Sequence, residues 1–403
     1  MPPRHFDAHC HVFDLEFLMY EVGQVIWDRV CGRYPIHRAR GMRRGREPDL
    51  EDYLRWASEI GQALAGDEDE NLEAVFAAIR GTWPGCQPCA VPLMMDVYYM
   101  FDDPLLDPRE RFDARAYAEL HRSVRALPDP EGARKSFDQT LEALKVSEVW
   151  ANKLRARVDA ARGERRGASD DPFDTWGLGR HKAALQALAQ KYAGSVFPFL
   201  AIDPRRAGAI EALPRLVSKH GPFYGVKLYP RLGYHPQHPS LHPVYDFCDQ
   251  HEIPITTHCG PGGFPPWEKR QELANLCKAE HFEPILRAHP KLRIDFAHFG
   301  FDQGGGWRDE ILSLMTDPAL EGRVFSDLSC FARASDAAGF RRAHLAEWSA
   351  IVKQTMFGTD YDVMALGAPG QYLASYHRQF KAALGGHGLE DMSSEVVGRF
   401  LAC

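Results

Sequence analysis

No apolar run in the 403-residue sequence approaches the roughly 20 residues that cross a bilayer, so no membrane-spanning helix is expected. Positive charge is not in excess: 48 Lys and Arg stand against 55 Asp and Glu, a formal net charge of −7. Such a balance gives no general field for nucleic acid or anionic lipid. The nine cysteines have no regular spacing, which fits reduced thiols better than a disulfide framework. The start, Met1 to Asp7, lacks the apolar core of a signal peptide. No internal repeat or low-complexity tract interrupts the chain. These absences give the expectation of a soluble, cytoplasmic protein with no nucleic-acid or membrane partner.

What is present is ordinary globular composition, 45% hydrophobic, 26% charged and 11% aromatic. Two basic stretches, His37 to Arg46 and Arg162 to Arg166, lack the interleaved aromatics of a stacking platform and read as solvated surface or a subunit contact in a homo-oligomer. The acidic run Asp67 to Glu70 reads as their compensation. Cys86 and Cys89 have half the spacing of a zinc site, but no second pair completes it, so both read as plain thiols.

The second half alternates short apolar runs with amphipathic stretches. Strands are expected at Val196–Ile202, Phe223–Tyr229, Pro254–His258, Arg293–His298, Val324–Ser329 and Thr355–Asp360, with helices between them and a last helix at Gly370–Leu384. Phe6–Val12 and Ala90–Tyr98 supply two more strands. Strand and helix alternating in this way imply parallel strands with right-handed crossovers, and eight such strands close an α/β (β/α)₈ TIM barrel. The long stretches 14–89 and 101–176 read as helical insertions that cap one end of this single barrel.

Chemistry collects at the strand ends. Asp7-Ala8-His9-Cys10-His11 places two imidazoles two residues apart, on one face of a strand, where both reach one cation. Cys10 points the other way. His258 closes the fifth strand, His298 the sixth, and Asp360 the eighth in Phe357-Gly358-Thr359-Asp360. A parallel barrel brings all these ends to one mouth. Each histidine singly reads as a core or loop residue; all of them at matching strand ends read as a metal site. Nitrogen and oxygen donors without sulfur suit one Zn²⁺, with Mn²⁺ or Fe²⁺ as alternatives.

These residues, with the run His242 to Asp246, resemble the amidohydrolase superfamily, in the branch that includes aminocarboxymuconate semialdehyde decarboxylase. The resemblance implies that His9, His11, His258 and Asp360 hold the metal, that His298 stands beside a bound water, and that Asp360 and His298 are catalytic. It leaves the two insertions unmatched. Lys227 lies where binuclear relatives carry a carboxylated lysine, and is read as inward and unmodified, with one metal per chain. Lys227, Arg231 and His235 are candidate contacts to a small-molecule substrate. The main expectation is a metal-dependent hydrolase attacking an amide, ester or lactone carbonyl; the alternative is a non-oxidative decarboxylase or lyase of an unsaturated or aromatic carboxylic acid. An intact ligand set speaks against a non-catalytic scaffold.

Overall fold

The computed structural model describes residues 2–12, 15–31, 67–101, 130–143, 146–163, 171–263, 271–302, 306–330, 334–344, 346, 348–361, 369–384 and 387–403. The basic stretch 37–46 lies outside these residues, as does most of 162–166.

Eight parallel strands form the barrel: β1 Arg4–Cys10, β2 Gln87–Pro92, β3 Phe199–Ala201, β4 Gly225–Leu228, β5 Ile255–Thr257, β6 Ile294–Phe296, β7 Val324–Asp327 and β8 Thr355–Met356. β3 to β8 pair in sequence order as one sheet, and β1 pairs with β2 as another. Two seams close the ring. Parallel bridges Ala90 to Val196 and Leu93 to Phe199 join β2 to β3, and the amide of Ala8 donates to Phe357 O at 2.9 Å between β1 and β8. The strands are shorter than the sequence suggests because their last residues leave the ladder for the site. Thus the strand expected over Ala90–Tyr98 ends at Pro92, and Tyr98 begins a 3₁₀ turn, Tyr98–Phe101, whose first amide is taken by the Asp96 carboxylate at 3.3 Å. Between β7 and β8 the helical stretch is in two pieces, Ala334–Ala343 and Trp348–Ile351.

β1 carries one irregularity. Asp7 pairs with Ala90 but Cys10 pairs with Pro92, three steps on β1 against two on β2, a β-bulge. Before it, Phe6 and Ala8 pack with the interior residues Val91, Phe199, Phe325 and Met356. After it, Cys10 and Val12 join the outer cluster beneath the helices, while the imidazoles of His9 and His11 meet Asp360.

Within the stretch after β1, α1 (Leu15–Val30) packs on α3 (Pro130–Ala143), α4 (Glu148–Gly163) and α5 (Leu178–Lys191). Buried Glu21 of α1 accepts from Thr175 Oγ1 at 2.5 Å and from the amides of Gly177 and Leu178 at 2.9 and 2.6 Å, capping α5 from outside. α2 (Glu68–Thr82) packs on β2 and on the helix Pro369–Leu384. The acidic run opens α2: Asp67 Oδ1 accepts from the amides of Asp69 and Glu70 at 3.0 and 2.9 Å, and Glu70 reaches back to the Asp67 amide at 3.3 Å. This is a capping box, a local role that the run's sign alone does not reveal. Beyond the last expected helix, His387–Ser393 and Glu395–Leu401 follow, and the second seats Val396, Val397, Phe400 and Leu401 against the barrel's N-terminal mouth.

Candidate metal centre

The C-terminal mouth is assembled from residues at or just past the strand ends. Asp7 stitches β1 to the segment after β8: its carboxylate accepts from Thr359 Oγ1 at 2.5 Å, from the Thr359 amide at 3.0 Å and from the His9 amide at 3.2 Å. Burial raises its pKa to about 7 against these donors. The amide of Asp360 donates to His9 O at 2.8 Å. Gly358 permits this approach, since a Cβ there would lie 2.7 Å from His9 Cβ. Asp360 and His298 both hold left-handed backbones, with φ of 53° and 66°. Such conformations are costly for residues with side chains and persist where neighbours fix them.

His9 Nε2 lies 3.4 Å and His11 Nε2 3.3 Å from Asp360 Oδ1, and all three residues are buried. Two donors sharing a tetrahedral ion at about 2.0–2.1 Å stand about 3.3–3.4 Å apart, so this spacing fits a metal. A second observation agrees: His9 Nε2 is buried without a hydrogen-bond partner among the described residues. The other nitrogens are occupied, His9 Nδ1 by Asp327 Oδ2 at 2.7 Å and His11 Nδ1 by Leu93 O at 2.8 Å. Two further groups of donors within reach of one another overlap this one, His9–His298–Asp327 and His298–Cys330–Asp360.

The electrostatics suit a cation. Burial works against the charge of Asp360, but the His11 and His9 imidazoles beside it hold its pKa well below the usual carboxylate range. Asp327 is likewise held low by His9, against burial. Burial also opposes the charge on His9, yet Asp327 outweighs it and raises His9 to about 9. A metal ion on His9 Nε2 would take the place of that proton. Burial keeps His11 and His298 neutral, His298 down to about 3.

His258 stands apart from the three-residue group. Its ring stacks on Tyr229 with centroids 4.4 Å apart, its Nε2 contacts Gly262 O at 2.9 Å and its Nδ1 contacts His298 Nε2 at 3.2 Å. Gly263, with φ of 100°, lets the loop pass over this ring, for a Cβ there would lie 2.6 Å from it. Lys227 is buried, and Nζ has no hydrogen-bond partner among the described residues. Burial lowers its pKa, opposed by Asp327, Asp295 and Asp360. Its strand neighbours continue one inward layer: Lys227 pairs with Thr256 and Thr256 with Asp295, and Thr256 Oγ1 donates to Asp295 Oδ2 at 3.0 Å. Arg231 is buried in the turn after β4 and donates to Pro261 O at 2.9 Å. His235 is only partly buried; its ring packs on His281 at 4.7 Å, and its Nδ1 accepts from the Gln237 amide at 3.1 Å.

Asp327 is the residue that motif reading misses. It ends β7 within Val324-Phe325-Ser326-Asp327-Leu328-Ser329, which reads as a buried strand. The available signal was Asp327 and Ser329 two residues apart at a strand end, the spacing of His9 and His11.

An α/β barrel whose C-terminal mouth gathers buried imidazoles around an ionised carboxylate defines a metal-binding barrel enzyme. A sequence model described as amidohydrolase matches residues 131–390, well over half of the chain, and the protein belongs to that family. No curated protein matches the sequence. Among solved structures, 2,6-dihydroxybenzoate decarboxylase from Rhizobium aligns at 12% identity and a TM-score of 0.50, over 100% of this chain and 99% of that one. A 5-carboxyvanillate decarboxylase from Novosphingobium aromaticivorans, complexed with manganese and 4-hydroxy-3-methoxy-5-nitrobenzoic acid, aligns at 12% identity and a TM-score of 0.50, over 100% of this chain and 96% of that one. At such identity these likenesses show a common fold.

Proposed function

We propose that the protein is a metal-dependent, non-oxidative decarboxylase of an aromatic or unsaturated carboxylic acid. The observation that carries this reading is Lys227, a buried cation at the metal-site mouth whose Nζ has no hydrogen-bond partner among the described residues. The carboxylates of Asp327, Asp295 and Asp360 favour its charge but accept no hydrogen bond from it, and a substrate carboxylate would. Arg231 stands close enough to act on His258 and adds a second cation. The two fold neighbours named above are decarboxylases, which favours this reading over the hydrolysis of an amide, ester or lactone.

His9, His11 and Asp360 would hold one divalent ion, Zn²⁺ or Mn²⁺, with Lys227 unmodified. When bound, the ion supplies a positive charge that orients the substrate's oxygen atoms and stabilises negative charge on them. Lys227 and Arg231 bind the carboxylate, and burial of the mouth excludes water. Asp360 and His298 handle the proton. As the carbon–carboxyl bond breaks, carbon dioxide leaves and the electron pair stays on the ring or alkene carbon; Asp360, ionised in the free protein, takes up one proton from solvent as the substrate enters and passes it to that carbon.

The test uses metal-reconstituted protein and two substrate panels, aromatic and unsaturated carboxylic acids against amides, esters and lactones. Carbon dioxide release with no labelled water oxygen in the organic product supports decarboxylation. Labelled oxygen in the product without carbon dioxide returns the protein to hydrolysis.

A further inference from the structure

We infer that Asp327 is a positioning residue that decides which nitrogen of His9 faces the cation, and that through Ser329 it orients His298 as well. A carboxylate oxygen only accepts. The 2.7 Å contact between Asp327 Oδ2 and His9 Nδ1 therefore places a proton on Nδ1 and, in the neutral ring, the lone pair on Nε2. Nε2 is the nitrogen that faces Asp360. The carboxylate cannot swing, because its other oxygen accepts from the His298 amide at 3.1 Å, from the Ser329 amide at 2.9 Å and from the Ser329 hydroxyl.

The same bookkeeping extends one residue further. Ser329 spends its only hydroxyl proton on Asp327, so its oxygen accepts from His298 Nδ1 at 2.7 Å. That sets the second imidazole with its proton on Nδ1, so that its Nε2 faces His258 Nδ1 at 3.2 Å lone pair to lone pair, His258 Nε2 donating to Gly262 O. One strand end thus fixes the orientation of two rings, on β1 and after β6. An outer carboxylate that holds a ligand's tautomer contributes roughly 10–100-fold in metal affinity.

Asparagine separates this role from simple packing, because it keeps the shape. Its oxygen would stay with the three donors, leaving its amide N–H groups facing His9 Nδ1. Donor then meets donor, and His9 must move its proton to Nε2, where the metal binds. The inference rests on His9 as a metal ligand and not on the reaction catalysed.

The experiment labels histidine with ¹⁵N in the metal-free protein, at a pH high enough to leave His9 neutral, and measures Zn²⁺ affinity by chelator competition. In the wild type, His9 should carry its proton on Nδ1. Asp327→Asn should move it to Nε2 and weaken Zn²⁺ binding roughly 10–100-fold, with the circular dichroism of the fold retained. Ser329→Ala should alter the His298 signals while the His9 tautomer stays and Zn²⁺ affinity changes less than about threefold. A wild-type His9 protonated on Nε2, or an Asp327→Asn variant with unchanged tautomer or unchanged affinity, overturns the inference. If Asp327→Asn does not fold, the wild-type spectrum and the Ser329→Ala spectrum decide it. Equal Zn²⁺ binding by wild type and His9→Ala would instead overturn the ligand assignment itself, and carbon dioxide assays bear on neither.

Discussion

The two mouths of the barrel are built from the same strands and hold opposite chemistry. At the N-terminal mouth Phe6, Val91, Phe199, Phe325 and Met356 meet Val396, Val397, Phe400 and Leu401 of the last helix. Phe400 lies 5.2 Å from Phe325 and 6.1 Å from Phe199, ring centroid to centroid, and each such ring stabilises by burial at about 1.5–3 kcal/mol. At the other mouth His9 Nε2, Lys227 Nζ and Asp295 Oδ1 are buried with no hydrogen-bond partner among the described residues. Unpaired buried polar atoms cost about 1–3 kcal/mol each. One end therefore contributes stability, and the other carries groups that folding alone does not reward. Conserving the fold while changing the reaction means rewriting only the second end.

That contrast breaks most sharply at His9. His9→Ala should abolish both metal binding and turnover, leaving the fold intact; metal analysis and circular dichroism check it, and full metal content in the variant would remove His9 from the site. Asp360→Asn should come next. The amide keeps an oxygen toward His9 and His11 but cannot carry the proton, so metal largely remains while kcat falls roughly 10²–10⁴-fold. A variant near the wild-type rate would show that the proton moves elsewhere.

The mirror experiment belongs to the other mouth. Phe400→Ala should lower unfolding free energy by about 3–5 kcal/mol, measured by denaturant titration, while Zn²⁺ affinity at low temperature stays unchanged. Loss of metal affinity in a folded Phe400→Ala protein would mean that the two ends are coupled.

The smallest effect concerns acid. His377 is buried with its Nδ1 against Thr82 Oγ1 at 3.1 Å, and burial lowers its pKa to about 3. Between the ordinary value of 6.5 and about 3 the unfolded chain binds the extra proton and the folded one does not. Stability is therefore fully present above that range and lost as pH falls through it, by up to about 1.4 kcal/mol per pH unit. His377→Gln should flatten the acid limb of the melting curve between neutral and mildly acid pH. Identical slopes in the two proteins would discharge His377 from that role.

Much of the metal-binding mouth was legible because strand ends and alternation are local. His9, His11, His298 and Asp360 each sit where a parallel strand delivers its last residues, and chain order alone collects them. His258 was legible as a strand-end residue, but its orientation depends on Gly262 and Gly263 folding over its ring. That is a tertiary fact. Arg231 and His235 share one loop yet diverge, one buried against Pro261 and the other packed at a tilt on His281, because a turn's direction is not written in its residue types. The last helix shows its apolar face at Val396, Val397, Phe400 and Leu401, but nothing local says that this face closes the bottom of a barrel whose strands lie far earlier in the chain.

The extra residue in β1 makes the centre depend on counting. Ala8 belongs to the floor and His9 to the ceiling, although they are neighbours, because the bulge between Asp7 and Cys10 shifts the strand's phase by one. Point substitutions leave that phase alone. Insertion of one further residue there, with the bulge kept, behaves like a frameshift in the fold: it turns His9 and His11 toward the outer helices and offers the thiol of Cys10 to the interior in their place. The centre thus depends on the residue count of this short segment as much as on the residues themselves.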